Sequence, residues 1–199
     1  EGLKETKKEI MEEEHPCPIL VYSSSKVQNE KDIRNSGKNY VILRLGSVYG
    51  YSSTDTMRIN IMPNLFSKIA SQNGVINLFG GGKQIKSVVP LIDVVRCIKF
   101  MEENEKAEKE TFNLVKETVT VKDVAEICKK HNPKVTIKST DDEIPNLGYT
   151  LSSKKLLRTG FKFLYNLDES ISTMIQKWSF VKFEKDLEYK SRGEKEFID

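Results

Sequence analysis

Alternating strand-like and helix-like runs along the 199 residues predict an α/β fold. Three observations carry this. Helix-period apolar residues recur in Pro63 to Gln72, Pro90 to Met101, Thr120 to Lys130 and Asp168 to Trp178. Short β-rich runs lie between them, at Tyr40 to Leu45, Val75 to Phe79, Ile85 to Val89, Thr111 to Val115 and Val135 to Ile137. The first of these runs is almost wholly apolar, as a strand covered on both faces should be.

Taken in chain order, Lys4 to Glu14 has helical propensity and is halted by His15-Pro16-Cys17-Pro18. The next helix is predicted from Val21 to about Asn35, with Gly37 as its stop. The Tyr40 strand feeds Gly46-Ser47-Val48-Tyr49-Gly50, read as a loop at its carboxyl end, the edge where open α/β sheets bind ligands. Pro63 to Gln72 carries Leu65, Phe66 and Ile69 on one side. Gly80-Gly81-Gly82 needs a turn with unusual backbone angles. Pro90 suits the first turn of a helix whose apolar face holds Val94, Val95, Ile98 and Met101.

Thr120 is placed to cap the next helix, with Asp123 in the reciprocal capping position. Ser152 can cap Lys154 to Thr159, which Gly160 ends. The last helix is amphipathic through Ile171, Met174, Ile175 and Trp178, core residues by this pattern. From Lys182 to Asp199 periodicity gives way to charge, which reads as a tail or linker. A chain that opens Glu1-Gly2-Leu3 without methionine reads as part of something longer.

Composition narrows the function classes. Hydrophobic residues make up 38% and charged residues 31%, with 32 basic against 29 acidic for a net +3. The charges are interleaved, as in Lys106 to Glu110, and form no stripe that could track a phosphate backbone, so no nucleic-acid partner is expected. There is no long apolar run and no signal-peptide pattern, which gives no support for a membrane or secreted protein. Cys17, Cys97 and Cys128 are scattered, as reduced thiols of a cytoplasmic protein are, and with only His15 and His131 no metal site is expected. Cys97 and Cys128 fall on apolar helix faces and read as small buried hydrophobes.

The chemistry is concentrated in Tyr22-Ser-Ser-Ser-Lys26. Residues four apart on a helix are neighbours, and a fixed positive charge beside a phenol favours the phenolate. Such a pair can exchange protons with a substrate, Tyr22 acting as acid/base and Lys26 assisting it. The competing reading is a solvated helix face.

Together with its downstream motifs, this pair resembles the later part of an extended short-chain dehydrogenase/reductase of the NAD-dependent sugar-nucleotide epimerase/dehydratase type. Tyr22-x-x-x-Lys26 looks like that family's catalytic pair. Leu43 to Gly50 is similar to its "LRxxNVYGP" strand and loop. Phe79 to Lys86, running on to Asp93-Val94-Val95, resembles "G-x-G-x-Q-x-R-D-F-V-x-V-x-D-V-A". Phe112-Asn113-Leu114 with Val119-Thr120-Val121 looks like "FNLGxGxxVTV", and Ser152-x-Lys154 through Gly160-Phe161 is similar to "D-x-S-K-x-x-x-x-L-G-W". Five weak motifs in order, across Pro16 to Trp178, make a strong joint signal.

The resemblance implies the C-terminal part of a Rossmann-type doubly wound parallel sheet plus a small α/β substrate-binding domain. It divides the chain into 1–50 with 85–115, 51–84 with 116–179, and a tail from 180 to 199. It implies NAD or NADP as cofactor in the full-length protein, with Tyr22, Lys26, Gly46 and Val48 toward it and Lys26 on the nicotinamide ribose. The partner it implies is a nucleotide-activated sugar, touched by Ser47, Gln84 and Lys86, with Lys86 on its phosphates. A homodimer built on the Tyr22 helix is implied as well. Each of these residues has a plainer alternative. Ser47 can cap a loop, Gln84 can serve a turn, Lys86 can be a solvated strand residue, and Asp93 reads as a structural hydrogen-bonding group.

The departures are as specific. The family's glycine-rich fingerprint between a first strand and a helix is absent, and Gly80-Gly81-Gly82 cannot replace it because a second strand comes after it. The triad's serine or threonine would lie upstream of Glu1. Ser47 stands where the family has an asparagine, and Lys86-Ser87 where it has an Arg-Asp pair. The expectation is therefore part of an NAD(P)-dependent epimerase, dehydratase or reductase, inactive as this chain alone. The alternative is a binding or assembly module that keeps the fold without the cofactor half.

Overall fold

The computed structural model describes residues 9–52, 57–144 and 147–180. The expected tail from Lys182 to Asp199 and the residues before Glu9 lie outside the described residues. Two compact units are present, one of 1–48, 84–119 and 145–166, the other of 49–83, 120–144 and 167–199.

The first unit opens with residues 9–14, which form no helix despite their propensity. Ile10 is instead tied to 150–152 by two backbone hydrogen bonds, Ile10 N–H to the Thr150 carbonyl and Ser152 N–H to the Ile10 carbonyl. This tertiary pairing overrides a charge-rich stretch of weak local preference. Helix α1 (Val21–Asn35) starts after the two prolines and ends at Ser36, with Gly37 in the left-handed region at φ 71°. None of its residues is buried.

Strand β1 (Val41–Leu45) leads into β2 (Ser47–Tyr49), so the stretch expected to be a loop is a short strand. The glycine between them explains how one strand can come directly after another. A Cβ on Gly46 would sit 2.7 Å from the Ser87 carbonyl oxygen, so only glycine lets β1 turn out against the neighbouring strand. The second unit takes up the chain from Tyr49 to Lys83, with α2 (Met62–Ser71) and β3 (Val75–Leu78). The first unit resumes with β4 (Ile85–Pro90), α3 (Leu91–Glu102), β5 (Glu110–Leu114) and β6 (Glu117–Thr120). Strands β1 and β5 pair in parallel with Val41 opposite Glu110 and Leu45 opposite Leu114. A second sheet has the order β2-β4-β6.

Side chains alternate across a strand, and the contacts sort by face. Phe112 and Leu114 of β5 join Val94, Cys97 and Met101 of α3 in one core, against which Val41 and Leu43 of β1 also pack. Thr111 and Arg44 turn the other way, to α1. Helices therefore cover both faces of the parallel pair. One expectation is corrected here. The apolar run predicts a strand buried on both faces, yet only Ile42 of β1 is buried and Leu45 is 47% exposed, because β1 has a partner along one edge alone among the described residues.

The second unit continues with α4 (Val121–His131) and β7 (Thr136–Ser139). After α5 (Lys154–Arg158), which belongs to the first unit, it closes with α6 (Leu167–Ser179). Helices α2, α4 and α6 pack around the parallel pair β3 and β7. Ile76, Leu78, Val124, Cys128, Ile171, Met174 and Trp178 form the core of this unit, all at most 2% exposed. The capping box of α4 is complete: Asp123 N–H donates to Thr120 Oγ1 at 3.1 Å, and Thr120 N–H to Asp123 Oδ2 at 2.8 Å. Gly80, Gly81 and Gly82 all have positive φ, and a Cβ at Gly80 would collide with Ile144. Residues 145–166, which the family division assigned to the second part, lie in the first unit, as do 116–119.

Candidate active site

Tyr22 and Lys26 occupy the first and second turns of α1, a helix whose start is set by Pro16 and Pro18 rather than by a side-chain cap. Lys26 Nζ lies 5.3 Å from the centroid of the Tyr22 ring. Tyr22 is 72% exposed, and Lys26 is exposed as well. Among the described residues, neither the phenol oxygen nor the ammonium has a hydrogen-bond partner. The ring and cation thus touch each other, with their hydrogen-bonding groups unpartnered among the described residues.

What fixes the helix is polar. Arg44 donates from Nε to Glu30 Oε1 at 2.9 Å and from Nη2 to Glu30 Oε2 at 2.8 Å, and its Nη1 reaches the Glu12 carbonyl at 3.0 Å. Arg34 Nη2 donates to Thr111 Oγ1 at 2.6 Å. Arg44, by its paired hydrogen bonds, holds the Glu30 carboxyl below the usual glutamate range, with Arg34 adding to the effect and burial opposing it. Glu12 is itself buried. Its Oε1 accepts from the Asn113 N–H at 2.8 Å, while Oε2 is buried without a partner among the described residues. Arg44, Glu30, Arg34 and Glu12 carry the geometry of the site, and no local pattern in the sequence assigns them that role. One signal is present all the same: an arginine inside the otherwise aliphatic run Val41 to Leu45 needs a partner.

The remaining candidates are held in different ways. Gly46 is filled by its own fold, since Ser87 occupies the space beside it. Val48 turns its side chain onto the core of the first unit, leaving only its backbone for a ligand. Ser47 lies in β2 with its hydroxyl unbonded among the described residues. Gln84 is half-buried just before β4, and Lys86 is exposed on β4. Ser87, in the Arg-Asp position, accepts the Leu151 N–H at 3.1 Å and fixes that segment. Asp93 is fully buried and accepts from the Leu164 and Tyr165 N–H groups, at 3.2 and 3.1 Å, and from Arg96. It is a structural group. Burial pushes the thiols of Cys97 and Cys128 up, to about 11 and about 12, which makes both inert.

Two clefts of the first unit, about 340 and 330 Å³, are lined by Arg96, Phe100 and Phe161 and by Glu110, Phe112 and Lys155, and hold none of these candidates. Among the described residues no group of His, Cys, Asp and Glu could hold a metal, and no helix is long and apolar enough to cross a membrane.

Comparison with known proteins agrees with this architecture. The chain is 31% identical over 111 residues to a dihydroflavonol 4-reductase of Callistephus chinensis, covering 54% of this chain and 29% of that one. A UDP-glucose 4-epimerase of Thermotoga maritima, solved with UDP-glucose, superposes with a TM-score of 0.72 at 22% identity, covering 86% of this chain and 58% of that one. A UDP-glucuronic acid 4-epimerase of Bacillus cereus, solved with UDP-glucuronic acid and NAD, gives 0.74 at 19% identity, covering 88% and 57%. The chain thus spans less than three fifths of each of these proteins. The profile of one family covers residues 2–114, more than half the chain, from before α1 to the end of β5. With the α/β architecture and parallel strands in agreement, the chain belongs to the NAD dependent epimerase/dehydratase family.

Proposed function

We propose that the whole protein is an NAD(P)-dependent enzyme of the cytoplasm acting on a nucleotide-activated sugar, as epimerase, dehydratase or reductase, with Tyr22 and Lys26 as its acid/base pair. The observation that carries this is the open pair on α1, an ammonium 5.3 Å from a phenol ring with both polar ends unbonded among the described residues. Relatives solved with UDP-sugars and NAD support the ligand classes.

The residues present fit the ribose end of a dinucleotide. Lys26 can give its three donors to ribose hydroxyls, and the Tyr22 oxygen beside it can meet a substrate hydroxyl. When bound, the dinucleotide supplies hydride transfer. Tyr22 takes the proton of the sugar hydroxyl as its carbon is oxidised and returns it on reduction. The positive charge of Lys26 stabilises the phenolate during that exchange. Ser47 and Gln84 orient the sugar, and Lys86 meets the diphosphate as a point charge.

Tyr22→Phe in the full-length protein keeps the ring and removes the proton. Turnover should fall roughly a hundredfold or more with cofactor affinity unchanged. Wild-type turnover in this variant would remove Tyr22 from the mechanism. The second reading is a reductase of a substrate without a nucleotide, favoured by the 31% identity to the flavonoid reductase. It predicts stoichiometric consumption of reduced cofactor. We also propose a twofold dimer through α1, whose Val21 and Ile33 are exposed on a helix with no buried residue. A monomer by light scattering at high concentration would refute that interface.

A further inference from the structure

Four residues after Lys26 along α1 comes Glu30, the only acid within four residues of Lys26 in either direction. Opposite charges at this spacing meet on a helix surface. By local rules alone the Lys26 ammonium would turn to the Glu30 carboxylate. It does not. Lys26 Nζ lies 5.3 Å from the centroid of the Tyr22 ring, one turn the other way, and Glu30 is paired with other residues.

Those partners are two arginines. Arg44 takes both Glu30 oxygens, Oε1 through Nε at 2.9 Å and Oε2 through Nη2 at 2.8 Å. Arg34 Nη2 adds a second cation 3.5 Å from Oε2. Arg44 is itself fixed, because its Nη1 donates to the Glu12 carbonyl at 3.0 Å. Its charged form is favoured by the Glu30 hydrogen bonds and then by the charges of Glu30, Glu12 and Glu13, against the effect of burial. A planar fork engages a carboxylate at both oxygens, whereas a lysine on β1 would meet it at one point and leave the other oxygen free.

We propose that Arg44, with Arg34, is a positioning residue: by saturating Glu30 it keeps the Lys26 ammonium on Tyr22 and open to a ligand. The role is competition for a charge, beyond the anchoring of a helix. Without the two guanidiniums, the Glu30 carboxylate, 22% exposed, would lie in a setting of effective dielectric about 20. Its pull on an ammonium four residues away then exceeds that of an exposed ring. Only the consequence for turnover rests on the reading of Tyr22 and Lys26 as an acid/base pair. The placement of Lys26 stands without it.

Proton NMR of the Lys26 ε-methylene in this chain tests the placement, because an adjacent aromatic ring shifts those protons upfield. In Arg34→Gln/Arg44→Gln the resonance should move to the position of a lysine with no ring beside it. Turnover of the full-length protein should fall about fivefold in the same variant. Adding Glu30→Gln should bring the resonance back and recover most of the turnover, since the competitor is gone while the anchor is equally lost. Glu30→Gln alone leaves both arginines and should keep the native resonance. A native resonance in the Arg34→Gln/Arg44→Gln variant would overturn the proposal. So would a triple variant that behaves like the double one, or loss of the native resonance in Glu30→Gln, since either makes the arginines an anchor and nothing more. Movement of Lys26 with unchanged turnover would uphold its placement by Arg44 and remove Lys26 from the mechanism.

Discussion

Arg44 on β1 holds Glu30 on α1 through two parallel hydrogen bonds of 2.9 and 2.8 Å. Glu30 lies four residues after Lys26 and eight after Tyr22, so all three share one helix face. The strand therefore grips the face that carries the candidate pair. No apolar burial competes with this bond, since α1 buries no side chain of its own.

Acid should loosen α1. The Glu30 carboxyl is depressed in the folded protein, so the stability it contributes is full above the unfolded glutamate value of about 4.3 and is lost as pH falls through the folded value. Both side chains are only 22% exposed, and removing this charge-assisted bond should cost about 1.5 kcal/mol. Urea unfolding from pH 7 to pH 3 should show this loss in the native chain, and Glu30→Gln should remove that part of the pH dependence. A pH profile of Glu30→Gln parallel to the native one would show that the pair contributes nothing.

Gly46→Ala separates a glycine kept for folding from one kept for a cofactor. The new methyl would lie 2.7 Å from the Ser87 oxygen and 3.1 Å from Val115 Cγ2, and the first of these is backbone that cannot step aside alone. A destabilisation of about 1–3 kcal/mol is expected in the absence of any ligand. Native stability combined with weakened dinucleotide binding would assign Gly46 to the cofactor instead.

Much of the fold is legible in the sequence where local rules decide. The boundaries of α1 come from the prolines before it and Gly37 after it, and the Thr120–Asp123 capping box and the buried Trp178 from capping chemistry and apolar period. Strand β2 escapes such rules because Ser47 to Tyr49 is too short to show alternation and sits between two glycines that read as a loop. The false helix at 9–14 reflects a long-range pairing of Ile10 with 150–152 that no local pattern can announce. The same holds for Glu12 and Asn113, 101 residues apart and joined by one hydrogen bond. The Tyr22–Lys26 pair is visible in the sequence because its chemistry is local, one turn of a single helix. Its anchor is not, because Arg44 and Glu30 meet only in the tertiary structure.

Lys86 offers the direct test of the nucleotide-sugar reading proposed above. It is exposed on β4 and has no ion-pair partner among the described residues, so its charge is available to a ligand. A diphosphate bound there would make a charge-assisted contact that is similar in the ground state and the transition state. Lys86→Ala in the full-length enzyme should then raise KM about tenfold or more and leave kcat nearly unchanged. Lys86→Arg should retain most of the affinity, since the charge persists, although the fork geometry of a guanidinium differs from a point charge. The dependence of KM on ionic strength should weaken in the alanine variant, because the screened interaction is gone. An unchanged KM in Lys86→Ala with a nucleotide-sugar substrate would make Lys86 a solvated strand residue. The reductase reading, which needs no phosphate contact at this strand, would then stand ahead of the nucleotide-sugar one.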